Sequence, residues 1–485
     1  MNSTEKQPMS IAPTRRGFLK TIATAVAAGT ALQTWPRGAH AGPNLTSGTD
    51  EAFWRTVRSS FVLDANLTYM NIGTTGSTPR HVLQAFDENS KAIAANPREN
   101  LGGTAPMRAA IAASYGVAAS EIVMTTNTTD GMCMSFHGLD WASDDEIITS
   151  IHEHPGGLGP LNTISFRRGI PVRYVTLPSG PDQTVADYVN AFETAILNSK
   201  AAGRNPQTMM FSHITYKTGT KLPANELCAL ARSYGMRTII DGAHATGMLN
   251  LDWHGMGVDL YAGSGHKWQC GPGGTGIWYV RNGMYQPGNI ELSALPFHGT
   301  LVSGNPRGRL MANGGPADIG AYLQSHGNPN YPEWKALQDV CEFWADIGRD
   351  RIEAHDLGLS AYVKARIVAT FPGGRAVLTA PDNPALLSAL TGFNPFAARV
   401  GIGGNSAAGQ KASQFVERLR EEYGFVIRNV TYRSAAGATG VFPQSAPAED
   451  NWTFRISTHL FHNRNDVDRL VAAMYDLAVN MGGLL

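Results

Sequence analysis

The sequence predicts an α/β fold: a large domain built on a seven-stranded, mostly parallel sheet, followed by a smaller C-terminal α+β domain. Two observations carry this. Seven short β-rich apolar runs lie between residues 121 and 280, several separated by helix-length segments. Beyond residue 331 the pattern changes to long helical stretches with only a few strand-like runs. Alternating strands and helices build parallel sheets covered on both faces, and such doubly buried strands read as continuous apolar runs.

The seven runs are EIVMT (121–125), EIITSI (146–151), VRYVTL (172–177), TMMFSHI (208–214), RTIID (237–241), VDLYAGS (258–264) and GIWYV (276–280). The segment 223–235 between two of them has helix length and composition. Residues 331–370 show apolar spacing near 3.6 and are read as helices. FVIRNV (425–430) and WTFRIS (452–457) are read as strands and 466–480 as a closing helix. The loop 434–450, rich in Gly, Ala and Pro, is expected to be mobile or lid-like. The expected division is a signal segment at 1–41, an N-terminal segment at 42–75, the large domain at 76–330 and the small domain at 331–485.

Composition excludes several classes. Of 485 residues, 43% are apolar and 16% charged, which excludes a disordered or coiled-coil chain, since an average soluble protein carries roughly 25% charged residues. The 53 glycines follow no collagen period. Basic and acidic residues balance at 39 each without a long basic run, so nucleic acid is not expected as a partner. The four cysteines form no C-x-x-C pair, which leaves zinc-finger and dithiol-redox readings without support, and no metal site is expected.

The amino terminus reads as an address. TRRGFLK (14–20), a mildly apolar stretch to about Leu32 and the Ala39-His40-Ala41 end resemble a twin-arginine (Tat-type) export signal. The apolar stretch falls short of the roughly 20 residues that span a bilayer, so no stable membrane span is expected. Export to the periplasm, in the folded state and by the Tat machinery, is therefore expected. Removing residues 1–41 takes away five basic groups and one acid, leaving 34 basic and 38 acidic groups and a net charge of −4.

In parallel sheets, sites gather at the carboxyl ends of the strands. Lys267 in SGHKW follows one such end, and Asp241 in DGAHATG closes another. An aspartate there pairs with a protonated pyridine nitrogen while a lysine forms a Schiff base with the ring's aldehyde. TTNTTDG (125–131), at an expected strand-to-helix turn, offers backbone N–H groups and hydroxyls suited to a phosphate. Together these match the needs of pyridoxal 5′-phosphate.

With those motifs, D-x-A-H followed by S-G-H-K above all, the chain over roughly 60–480 resembles the class V aminotransferase superfamily of fold type I. That group includes cysteine desulfurases, kynureninases and isopenicillin N epimerase-like enzymes. The resemblance implies Lys267 as the Schiff-base lysine and Asp241 as the partner of the ring nitrogen. It implies Thr128, Thr129, Ser264 and His266 as phosphate ligands, and His154 over the cofactor ring. His244 is implied against the phenolic oxygen, with Thr215 or Tyr216 nearby, and Arg455 on the substrate carboxylate. Asn328 or Thr300 is implied to reach a partner subunit's phosphate in a homodimer with sites near the interface. Residues 342–485 contain no cysteine, so desulfurase chemistry through a C-terminal cysteine loop is not expected. FHNRND (461–466) replaces the Tyr-Asn-Thr turn of many relatives, whereas GNPNYPEWKAL (327–337) resembles the epimerase-like branch. The expected activity is an exported epimerase or aminotransferase acting on an amino acid or a peptide metabolite such as a siderophore. A lyase of the same fold and a non-catalytic periplasmic binding protein are the alternatives.

Overall fold

The computed structural model describes residues 50–282, 318–324, 327–371, 377–396, 407–432, 440–441 and 451–481. The proposed signal at 1–41, Thr300 and most of the loop 434–450 lie outside the described residues. Among the described residues no helix is long and apolar enough to cross a membrane.

All seven apolar runs form strands of one sheet: β2 (Ile122–Thr125), β3 (Asp145–Ser150), β4 (Val172–Val175), β5 (Asn205–Ser212), β6 (Arg237–Asp241), β7 (Leu260–Ser264) and β8 (Gly276–Val280), after a short β1 (Thr68–Tyr69) outside it. Their order is β4-β3-β5-β6-β7-β8-β2. Strands β4 to β7 run parallel, and β8 is antiparallel to both of its neighbours. Every residue of β2, β3, β4, β6, β7 and β8 is buried, which is why each reads as an unbroken apolar run rather than an alternating one. An eighth strand, β13 (Gly440–Val441), adds antiparallel to β4 at the edge.

The register of the central strands sets where their ends fall. Ser212 of β5 lies beside Asp241 of β6, and Asp241 beside Ala262 of β7. The carboxyl ends of β5 and β6 are thereby level, and β7 runs two residues further to Ser264.

A second sheet has the order β12-β14-β10-β9, with β9 (Val377–Leu378), β10 (Leu390–Asn394), β12 (Arg428–Tyr432) and β14 (Asn451–Ser457), all antiparallel. Val363, Ile367, Phe393, Phe415, Phe454 and Met474 form its core with Met70 from the N-terminal segment. That segment is tied in by β1, which pairs in parallel with β11 (Phe425–Val426). The helical stretch 331–370 is two helices, Tyr331–Ile347 and Arg349–Thr370, broken at Gly348. Gly348 has φ +96°, a conformation that side chains with a Cβ rarely adopt. Trp334, Leu337, Val340 and Trp344 of the first helix pack into the core of the large sheet.

Candidate functional site

The strand ends converge as expected. Asp241, the last residue of β6, is buried, and its Oδ1 accepts a hydrogen bond from the Ala243 N–H at 3.0 Å. Burial raises its pKa, against that hydrogen bond and the attraction of Lys267. Lys267 follows β7 in a tight turn: the Cys270 N–H donates to the Lys267 carbonyl at 3.0 Å and the Gly76 N–H to the His266 carbonyl at 2.7 Å. Burial lowers Lys267 to about 8, opposed by Asp241 and assisted by Arg455 and Arg428. An amine in that range is partly neutral near pH 7 and can act as a nucleophile or a base.

Two histidines flank this pair, both held neutral. His154 caps the helix Pro155–Arg168, its Nδ1 accepting from the Gly156 N–H at 3.0 Å, and its ring meets Tyr216 edge-on at 4.8 Å. Burial and the cations Lys267, Arg455, Arg428 and Lys217 lower it to about 4. His244 is buried and accepts at Nδ1 from the Trp268 indole N–H at 3.2 Å. Burial first, then Lys267 and Arg455, push it well below its ordinary value.

The helix Thr128–Gly138 opens at the end of β2, with Asn127 as its cap accepting from the Asp130 N–H. First-turn N–H groups have no partner within a helix, which suits this end to an anion. The Thr128 hydroxyl is buried there with no hydrogen-bond partner. Gly156 approaches this turn closely: a Cβ on it would lie 2.6 Å from Thr129 Oγ1. Ser264 is buried, with its hydroxyl donating to the Ala243 carbonyl at 2.8 Å. Nδ1 of the half-buried His266 faces the Thr275 carbonyl at 3.4 Å.

Thr215 and Tyr216 separate clearly. The Thr215 hydroxyl turns into a relay with Thr218 (2.7 Å), which continues to Thr220 (3.0 Å) and on to Gln183 (3.1 Å). Tyr216 instead faces His154 and gives its carbonyl to Arg455 Nη1 at 3.2 Å.

Arg455 reaches this cleft from β14 of the other sheet. It is 1% exposed, and Nη2 donates to Asn71 Oδ1 at 3.0 Å and Thr74 Oγ1 at 3.4 Å. Its Nε has no partner, and among the described residues it forms no ion pair. Burial lowers it to about 9. Arg428, beside it in register, donates to the same Thr74 hydroxyl at 3.2 Å. A Cβ on Gly73 would come within 3.0 Å of both Arg455 Nη2 and His244 Cε1, so the segment 71–74 lines the cleft closely.

Three further features escape the sequence motifs. Glu153 is buried, takes hydrogen bonds from Ser150 and from Ser212 (2.6 Å), and is pushed up to about 7 by burial. Its position next to His154 is the one signal that could have found it. Asn71 and Thr74 lie in a turn-rich stretch, MNIGTTG, of the kind that lines sites. Asp356 and His459 form a buried pair at 2.8 Å, separated by 103 residues, and no local motif announces it. The FHNRND segment starts a helix: Asn463 caps Arg464–Asn480 reciprocally with Asp466. Asn328 adopts φ +45°. No cluster of metal-ligating side chains occurs among the described residues.

Comparison with known proteins agrees with this geometry. The family model described as aminotransferase class-V matches residues 68–391. An isopenicillin N epimerase of Streptomyces clavuligerus is 29% identical over 350 residues, covering 70% of this chain and 84% of that protein. An isopenicillin N epimerase of Amycolatopsis lactamdurans is 26% identical over 438 residues, covering 88% and 98%. Among solved structures, a C-DES mutant with glycine covalently linked to its PLP cofactor superposes with TM-score 0.66 at 23% identity, covering 86% of this chain and 99% of that one. The fold is thus that of fold-type-I enzymes. The chain belongs to the class-V aminotransferase family.

Proposed function

We propose that this protein is a pyridoxal 5′-phosphate enzyme of epimerase type, with aminotransferase type second, acting at the α-carbon of an amino acid or amino-acid-containing metabolite. The observation that carries the reading is the charge pattern of the cleft. Lys267, Arg455 and Arg428 all bear on His244, and Lys217 joins them at His154, while the facing carboxylate, Asp241, sits at the cleft floor. Such a site suits a ligand pair with a phosphate at one end and a carboxylate at the other.

The residues fit the cofactor. Lys267 Nζ would hold its aldehyde carbon, Asp241 its ring nitrogen, and the buried, unpartnered Thr128 hydroxyl its phosphate, with Thr129, Ser264 and His266 completing the cradle. His154 would lie against the ring, and His244, with Tyr216 or Thr215, would face its phenolic oxygen. When bound, the group supplies a ring that takes up the electron pair left as a bond at the α-carbon breaks. The protein's part is to align that bond and manage the proton. Arg455 orients the substrate by its carboxylate, for which a guanidinium fork is suited. Lys267 would hold the α-proton at Nζ, and its lowered pKa suits that role near neutral pH. Asp241 keeps the ring nitrogen charged.

The epimerase reading draws support from the two epimerase relatives and from the absence of cysteine in 342–485, where a desulfurase of the C-terminal-loop kind needs one. The reading includes export by the twin-arginine motif at Arg15 and Arg16, a homodimeric assembly, and maturation of a peptide metabolite outside the cytoplasm. The deciding experiment is incubation of purified protein with free and peptide-linked amino acids in deuterated water. Deuterium at an inverted α-carbon is expected. A keto product means an aminotransferase, and released ammonia or sulfur species mean a lyase. Colourless protein that takes up no pyridoxal phosphate overturns the reading.

A further inference from the structure

We propose that Trp268 is a positioning residue: its indole N–H fixes the tautomer of His244, and its backbone carbonyl is anchored by the buried Asp356–His459 pair. The inference rests on the cofactor reading and adds residues that the reading does not use.

Trp268 is fully buried and immediately follows Lys267. Its Nε1–H donates to His244 Nδ1 at 3.2 Å. An indole nitrogen is a donor only, so His244 Nδ1 must be the acceptor and carry no proton. A neutral imidazole then bears its single proton on Nε2. His244 is held neutral by burial among the cations of the cleft, so it presents one N–H and has no second form available. An N–H at this place is what an anionic phenolic oxygen requires, and the other tautomer would present a lone pair to it instead.

The anchor at the other end of Trp268 is equally determined. His459 Nε2 lies 2.9 Å from the Trp268 carbonyl oxygen and Nδ1 lies 2.8 Å from Asp356 Oδ2. The carbonyl can only accept, so Nε2 carries a proton, and the raised pKa of His459 places a second proton on Nδ1, facing Asp356. Neither side chain has measurable exposure. The same Nε2 lies 3.4 Å from Cys270 Sγ, and the His459 ring stands edge-on to the Trp268 indole at 5.2 Å. One peptide segment, 267–270, therefore carries the lysine and the device that orients His244, and the small sheet's β14 leads directly into the residue that clamps it.

The test is a double-mutant cycle on cofactor affinity, read by visible absorbance as pyridoxal 5′-phosphate is added back to cofactor-free protein. Native protein, Trp268→Phe, His244→Gln and the double variant are compared. Trp268→Phe keeps a buried aromatic ring and removes the donor. Losing one hydrogen bond to the cofactor is expected to weaken binding roughly three- to tenfold. In the His244→Gln background the same change is expected to cost less than about twofold, because a glutamine amide has no tautomer to fix. Equal weakening in both backgrounds would assign Trp268 to packing alone, and an unchanged affinity in the native background would remove it from the site; either overturns the inference. Should Trp268→Phe not fold, nitrogen-15 spectra of histidine-labelled native protein decide, with His244 identified by its loss in His244→Gln. A proton on Nε2 supports the assignment and a proton on Nδ1 overturns it. Native protein that binds no pyridoxal phosphate at all would instead overturn the cofactor reading, an outcome separate from both.

Discussion

Raising the pH should destabilise the fold through His459. Burial alone would lower this histidine, but the Asp356 carboxylate and Cys270 hold it up to about 10, against an ordinary 6.5. A group whose folded pKa is raised contributes fully below its unfolded pKa, and the contribution is lost as pH climbs through the folded one. Between pH 6.5 and 10 the folded chain keeps a proton that the unfolded chain has released, so stability falls by about 1.4 kcal/mol per pH unit from this group. From pH 7.5 to 9 that amounts to about 2 kcal/mol, or about 2 °C in Tm for a chain of this length. Lys267 and Lys364 act in the opposite sense: burial lowers both to about 8 from 10.5, so high pH favours their folded state. The measurement is therefore a difference. Cofactor-free native protein and His459→Gln are melted across pH 7.0 to 9.5, and the gap between them should shrink by about 2 °C from pH 7.5 to 9. Parallel curves would show that His459 carries no proton, and the imidazolium assignment would fail.

Lys267→Ala should abolish turnover while the fold and some cofactor binding persist through Thr128, His266 and Asp241; activity above a few per cent would displace Lys267 from its role. Asp241→Asn should lower kcat by roughly one to two decades with cofactor still bound, the value of a charged hydrogen bond of about 1.5–3 kcal/mol in a buried site; unchanged kcat would mean that another group partners the ring nitrogen. Arg455→Lys should mainly raise KM, since lysine cannot reproduce the guanidinium fork, and the visible spectrum should stay native. An unaltered KM would mean that the substrate presents no carboxylate there. Replacing Arg15 and Arg16 by lysine should retain cofactor-loaded, active protein inside the cell; normal export of that variant would remove the twin-arginine reading.

The large sheet was legible because a strand covered on both faces reads as a continuous apolar run, and RTIID and GIWYV announce that condition by their lack of alternation. Lys267 and Asp241 were legible for a related reason, as polar groups at the ends of such runs. The strand at 440–441 was not, because two residues carry no periodicity and pair only once the chain has folded against β4. Strand β10, LTGFN, hides because Gly392 at its centre and Asn394 at its end interrupt an already short run. Single residues fared by how local their role is. Arg455 stands in a recognisable strand, yet its partner Asn71 is 384 residues away. The different settings of Thr215 and Tyr216 show only in the hydroxyl relay, which depends on Gln183 from another segment.

That Arg455 and Lys267 come from different sheets bears on how such a protein changes its diet. The proposed grip on the substrate and the proposed covalent anchor share no strand, and the residue opposite Arg455 in β10 is Gly392, packed closely against Thr379 and the Thr218 carbonyl. A small slide or tilt of β14 and its neighbours would alter the span between carboxylate and reacting carbon while leaving the paired residues Ser212, Asp241 and Ala262 untouched. Longer or shorter substrates thereby become accessible through changes in the helices and strands beneath the small sheet. Mutations that retune selectivity are then to be sought around Phe393, Phe415 and Phe454, in the core beneath the strand that carries Arg455.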